Sequence, residues 1–405
     1  MKKIYFLIIS ILFASNINAQ NYTDCSIVNQ ALPQAVKIRG LSLKQSVPCK
    51  LQNREQVEAY LKSELNSANK QARLAHEALI YKLLGFIPFD YDYINEVIQM
   101  YKDQIGGYYD PKKKFYVMAD WIPQIMQMPV AVHELTHALQ DQYFDLSSFI
   151  NEEKFATDAL ISHSALAEGD GTAVMMDYSL VQNGMEPIAK SPDVEAIMMQ
   201  TILGTKLTPG LAKVPQALQS LMIFPYTSGL NFAHKLLKLG GYKKIDEAFK
   251  NPPNSTEEIL HPEIYLTKQK SYIEVKEEKT VDEFITDQKT SVYSDTIGEF
   301  LISTLLTTWL PPTEASKAAS GWGGDKLNLY KNGNNSLLVW TINWDTTNDA
   351  KEFFTALAKA YAIRIKNSPL QSGSRVTFTD PKIGKVIATL SDTKVQINIL
   401  NKAVN

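Results

Sequence analysis

The period of the apolar positions changes several times along the chain, and each change marks an element. Ile4 to Phe13 is an apolar run broken only by Ser10, preceded by Lys2 and Lys3 and followed by a small and polar stretch, Ala14 to Ala19. That layout reads as a secretory signal peptide, with an uncleaved N-terminal anchor as the rival reading, and its core falls well short of the ~20 residues a spanning helix needs. Val57, Tyr60, Leu61 and Leu65 recur at helical spacing and predict one long helix over Gln56–Leu84, stopped by Gly85 and Pro88. A second helix is expected over Tyr93–Ile105, ended by Gly106 and Gly107. Tyr108 to Pro111 then turns into the β-rich run Lys114–Met118, a hairpin pattern. Pro129 reads as the opening of a helix running to about Tyr143, because proline is tolerated in a first turn. A further helix is expected from Lys154 to Tyr178.

Residues 185–290 read as mostly helical, with loops at Pro192, Pro209–Pro215 and Asn251–Asn254. After Ser291 the texture changes. The apolar stretch Ile297–Leu310 carries Glu299 and ends at Pro311 and Pro312, so a buried helix explains it better than a membrane span. Gly321 to Gly324 is expected to be a tight turn beside Trp322. Strands follow around Leu327–Tyr330 and Leu338–Trp344, with Trp340, Ile342 and Trp344 on one buried face. Ala350, Phe353, Phe354, Leu357, Ala358 and Tyr361 mark an amphipathic helix, and Arg375–Thr379, Lys385–Leu390 and Lys394–Leu400 are β-rich. The expected fold class is therefore α+β. Its parts are a signal peptide at 1–19, an N-terminal segment at 20–50, a mostly helical region with a small hairpin at 51–290, and an α+β domain at 291–405.

Composition narrows the function. Among 405 residues, 45% are hydrophobic and 21% charged, which excludes wholesale disorder, collagen-like repeats and a multi-spanning membrane protein. Lys+Arg 41 against Asp+Glu 43 leaves no global basic field for nucleic acid. Cleavage after Ala19 removes Lys2 and Lys3, shifts the net charge from −2 to −4, and leaves a secreted or periplasmic chain with no membrane span. In an oxidising compartment Cys25 and Cys49 can pair, a constraint worth about 3 kcal/mol in the chain-entropy model. Two distant cysteines are too few for a multi-cysteine zinc site.

The informative segment is Ala131-Val132-His133-Glu134-Leu135-Thr136-His137-Ala138-Leu139. On a helix, His133 and His137 project from one face one turn apart and can bind a single Zn2+, with Glu134 beside them to reach a zinc-bound water. A catalytic zinc takes a third protein ligand and keeps one position open. A third histidine ten residues after His133 is ruled out by Tyr143, and the better candidate for the third ligand is Glu168, far enough along for a loop and a return helix. Gly169 and Gly171 each lower helix propensity by about 1 kcal/mol. Close approach of two helices, or a helix end, would account for them. Asp170 reads as a helix-end or turn residue.

The His133-Glu134-Leu135-Thr136-His137-Ala segment, with Asp141 after it and Glu168-Gly-Asp downstream, resembles the gluzincin metallopeptidases, the thermolysin type. Weaker echoes at Gly107–Pro111, Phe224-Pro225-Tyr226, Pro252–Glu257, His261–Glu263 and Gly321–Asp325 look like a group of secreted bacterial zincins. The resemblance implies His133, His137 and Glu168 as zinc ligands, Glu134 as general base, and a peptide or protein substrate. It departs at Thr172, where the thermolysin-like pattern has an acidic residue. Asp141 matches the family position and is the carboxylate expected behind a ligand histidine. Tyr226 and His234 are candidate proton donors, with His261 and Tyr109 as others. The run Lys114–Met118 is a candidate edge strand for pairing with an extended peptide. Two other readings stay open: a zinc-binding but catalytically silent adhesion or envelope module, and a zinc hydrolase of non-peptide substrates.

Overall fold

The computed structural model describes residues 21–65, 68–197, 199, 214–268, 270, 272–276 and 291–402, so the expected signal segment and most of the loop at 209–215 lie outside the described residues. Two sheets and the helices around them make an α+β architecture. Helix α1 (Val28–Arg39) stops at Gly40, whose φ of 75° suits a residue without Cβ, and the chain returns as strand β1 (Cys49–Gln52). A Cys25–Cys49 disulfide closes that loop, a feature of chains in an oxidising compartment. Helices α2 (Arg54–Leu65) and α3 (Ala68–Leu84) occupy the stretch read as one helix, with 66–67 outside the described residues. Then come α4 (Tyr93–Gln104), β2 (Gly107–Asp110) and β3 (Phe115–Ala119).

The first sheet has the order β1-β3-β2, with β1 parallel and β2 antiparallel to β3. This corrects the expectation for Lys114–Met118. That run is the middle strand, hydrogen-bonded on both sides, and the edges belong to β1 and β2. A single β-rich run carries no signal of how many partners it takes, and β1 arrives from the far side of three helices.

Helix α5 (Gln124–Phe144) begins after Pro123, so Pro129 lies inside it and does not open it. Proline there forgoes only the bond to the Ile125 carbonyl, and Ile125 is 41% exposed, within reach of water. After the short α6 (Leu146–Phe149) comes α7 (Thr157–Gln182), then α8 (Gln216–Gly240), α9 (Tyr242–Lys250), α10 (Thr256–Leu260) and α11 (Pro262–Thr267). Helix α5 is enclosed by α1, α7, β2 and β3, which explains why residues 130–141 are all buried.

The second sheet, ordered β4-β5-β6-β10-β9-β8-β7, is antiparallel throughout. Its strands are β4 (Tyr293–Asp295), β5 (Trp322–Asn332), β6 (Asn335–Trp344), β7 (Leu370–Ser372), β8 (Arg375–Asp380), β9 (Gly384–Ser391) and β10 (Lys394–Asn401). Helices α12 (Gly298–Thr307), α13 (Pro312–Ala319) and α14 (Thr347–Ile365) accompany it. Trp340, Ile342 and Trp344 are buried as expected, and so is Trp322 on β5, although β6 is buried on its other face as well. Only Gly321 of the expected turn is left-handed, at φ 80°. From Trp322 the chain is already strand, with a bulge between Trp322 and Gly324, and a Cβ on Gly324 would meet the Ile273 carbonyl oxygen at 2.1 Å. Strand β4 also holds the start of α7: Thr157 donates its N–H and hydroxyl to the Asp295 carboxylate at 2.8 and 2.7 Å. The C-terminal sheet thus fixes the helix that carries Glu168.

Candidate metal centre

His133 and His137 lie one turn apart on α5, and Glu168 faces them from the middle of α7. Glu168 Oε2 is 3.1 Å from His133 Nε2 and 3.2 Å from His137 Nε2, and the two imidazole nitrogens are 2.8 Å apart. All three residues are buried. Among the described residues this is the one group of histidine, cysteine and carboxylate side chains whose ligand atoms converge, all within 4.8 Å of one another. Two imidazole nitrogens and a carboxylate oxygen turned on one buried point form a donor set that a divalent cation neutralises. The residues therefore fit a metal ion.

Glycines make the approach of α7 possible, because Gly169 and Gly171 sit at a double helix contact and not at a helix end. A Cβ on Gly169 would lie 2.1 Å from the Gly229 carbonyl oxygen on α8, and one on Gly229 would lie 2.1 Å from that of Ala165. A Cβ on Gly171 would press on the His133 ring, 2.9 Å from Cε1. The propensity lost at these positions is offset by two close crossings that no larger residue allows.

Glu134 is held at one oxygen and free at the other. Its Oε2 accepts the backbone N–H of Tyr109 at 2.9 Å, while the buried Oε1 has no hydrogen-bond partner. Burial, reinforced by Glu168 and opposed by His137 and the Tyr109 N–H, raises the Glu134 carboxyl to about 8. Burial and the neighbouring His137 push His133 down to about 4. His137 goes the other way: burial lowers it, but Glu168 more than compensates and draws it up to about 9. Glu168, despite burial, is held down at about 2 by the charge of His137 and by its close contacts with the two imidazoles.

The remaining candidates separate cleanly. The Tyr226 ring lies 6.4 Å from that of His133, tilted by 40°, so α8 brings it to the centre. His234, two turns further along the same helix, is not brought there. Its Nε2 faces the carbonyl oxygens of Ile188 and Ser191 at 3.1 and 3.2 Å, which gives it a structural role. His261 pairs with Glu299 at 2.9 Å, also apart from the centre. Tyr109 contributes its backbone, and its hydroxyl donates to Asp141 Oδ2 at 2.7 Å.

Asp141 does not stand behind either histidine. It takes the Tyr109 hydroxyl, Lys114 Nζ at 2.7 Å and the Leu146 N–H at 3.1 Å, and so clamps the β2–β3 hairpin onto α5. The group behind His137 is Gln140, whose Oε1 is 2.8 Å from Nδ1. Behind Gln140 lie Asp170, fully buried in mid-helix, and Arg39 of α1. One signal for Gln140 was present in the sequence, its place three residues after His137 on one helix face. Arg39 carried none.

Residues 286–401 match a family described as a domain of unknown function (DUF8575). From residue 291 on, that stretch is the second sheet with its helices, and it contains none of the residues of the metal centre. No curated protein and no solved structure matches the chain. Among the described residues no helix is long and apolar enough to cross a membrane.

Proposed function

We propose that the protein is an exported zinc metallopeptidase that hydrolyses peptide bonds, with His133, His137 and Glu168 as ligands and Glu134 as general base. The observation that carries the reading is the pairing of the buried three-atom donor set with an unpartnered Glu134 Oε1 one residue from the first ligand. A purely structural site has no need of a free carboxylate oxygen there. The set of two imidazoles and one carboxylate suits zinc and leaves a coordination position open. A bound zinc ion would supply Lewis acidity there, lowering the pKa of a water towards about 7.

The protein groups supply the rest. Glu134 accepts the proton of the attacking water at Oε1 and later gives it to the leaving amine, while the Tyr109 N–H keeps Oε2 fixed throughout. Tyr226 is the donor proposed for the substrate carbonyl oxygen. The disulfide fits export, and residues 1–19 have the pattern of the signal that directs it. The test is cleavage of an unfolded protein by purified mature chain, with metal removed by a chelator and restored. Activity that disappears with the chelator and returns with zinc supports the reading, whereas cleavage indifferent to chelation removes it.

A further inference from the structure

We propose that the segment Tyr22–Gln52 is a permanent part of the metal centre, and that within it Arg39 is a positioning residue acting on His137 through Asp170 and Gln140. The inference rests on the metal reading above.

Arg39 is the last residue of α1, yet only 1% exposed. Its Nε donates to Asp170 Oδ2 at 2.8 Å and its Nη2 to Asp246 Oδ1 at 2.6 Å, with the guanidinium 5.2 Å from the Tyr242 ring centre. The same Asp170 oxygen accepts Gln140 Nε2 at 2.8 Å, and that nitrogen also donates to the Ala167 carbonyl at 3.0 Å. With both amide hydrogens committed, the Gln140 oxygen must face His137 Nδ1. An amide oxygen only accepts, so Nδ1 carries a hydrogen, and in the neutral imidazole that a metal ligand must be, Nε2 is the nitrogen left with a lone pair, on the side of Glu168 and His133. The relay therefore sets the tautomer a metal ligand needs. Its far end is a guanidinium, a fixed charge that no ordinary pH removes.

The segment bearing Arg39 is built into the molecule. Ile27, Ala31 and Ala35 are wholly buried among residues of α5, α7 and the first sheet. The Tyr22 N–H donates to Gln127 Oε1 at 2.8 Å, and Gln127 Nε2 returns a bond to the Tyr22 carbonyl at 3.1 Å. Strand β1 completes the first sheet, and the disulfide ties it to the start of α1. An inhibitory segment that is shed must leave a finished site behind. This one reaches the centre from the Nδ1 side of His137, opposite the nitrogen that faces Glu168, and its loss would remove the relay.

The experiment compares zinc affinity, by competition with a chromogenic chelator, in wild type, Arg39→Met and Gln140→Met, with melting curves for each. Arg39→Met leaves the buried Asp170 and the half-buried Asp246 without their cation and can fail to fold, so Gln140→Met, which breaks the relay and keeps the Arg39–Asp170 pair, decides in that event. Affinity is expected to fall about 10- to 100-fold in a folded variant, with partial recovery in Arg39→Lys. In parallel, a protease site is placed in the exposed loop 42–46, and the chain is cut and its disulfide reduced. The fragment is expected to stay bound, or to take zinc affinity with it when stripped. Folded variants that bind zinc like wild type, or a stripped protein with undiminished affinity, would overturn the proposal. A wild type that binds no zinc in the same assay sinks the metallopeptidase reading itself, a separate result.

Discussion

The backbone N–H of Tyr109 donates to Glu134 Oε2 at 2.9 Å, joining the outer edge of the first sheet to the residue between the two histidines. Tyr109 sits on β2, whose other side pairs with β3, so a sheet edge that would otherwise be unpaired holds a carboxylate in place. The anchor fixes one oxygen and leaves the other for proton transfer. Replacing Glu134 by Gln keeps an oxygen for the Tyr109 N–H but removes the base. Turnover is expected to fall by at least about 100-fold, with zinc content and melting temperature near wild type. Kinetics beside elemental analysis check this, and undiminished turnover would remove Glu134 from the mechanism.

The glycine contacts give two distinguishable outcomes. Gly169→Ala drives a methyl into the Gly229 backbone, where neither helix can yield, and is expected to destabilise by about 1–3 kcal/mol or more. Gly171→Ala presses instead on the His133 ring, so zinc affinity should fall more than stability does. Denaturant unfolding and chelator competition on both variants separate the effects. Equal effects on both quantities would contradict the assignment.

Removing the Cys25–Cys49 bond by a double Ser replacement should cost about 2–5 kcal/mol. The same loss should follow reduction of the wild-type protein. A thermal unfolding curve insensitive to reductant would show that the packing of α1 holds the segment without the crosslink.

A pH response should come from the junction of α7 with the C-terminal sheet. Burial raises Asp158 to about 8, with Asp325 and Glu257 adding to it and the Thr256 bonds opposing. Burial likewise raises Asp325 to about 6 and Glu257 to about 7, the latter against its Lys270 partner. A carboxyl whose folded pKa exceeds its unfolded value binds more protons in the native state. Its contribution is fully present below the unfolded pKa, 3.8 for Asp and 4.5 for Glu, and is lost as pH climbs to the folded value. Melting temperature should therefore decline by several degrees between pH 5 and pH 8. Asp158→Asn, which keeps an oxygen for Thr256, should flatten that decline. An identical slope in the variant would acquit Asp158.

What could be read from the sequence was short in range or periodic. His133 and His137 share a face because helix geometry puts residues four apart together. The C-terminal strands and the Trp340–Trp344 face follow from alternation over ten residues or fewer. Glu168 was reachable as a candidate because it stands 31 residues after His137, room enough for a loop and a return helix. Long-range partnership was not legible. Arg39 meets Asp170 across 131 positions, and Gln140 meets it across 30, with no pattern in either stretch to announce it. Tyr226 and His234 looked alike on paper, two polar rings on one helix. Only the backbone at 188–191, folded against the second of them, decides between them. Asp141 was misread for a related reason: its partners, Tyr109 and Lys114, come from a hairpin whose docking on α5 depends on the whole fold.

The most direct test of the account is to incubate the mature protein with a diverse peptide mixture and detect new termini by mass spectrometry, with Glu134→Gln as control. Cleavage by the wild type and none by the variant is the predicted result, and it would also give the subsite preferences. Zinc-loaded wild type that produces no new termini beyond those of the variant would contradict the peptidase reading and leave the centre a zinc site serving another reaction or none.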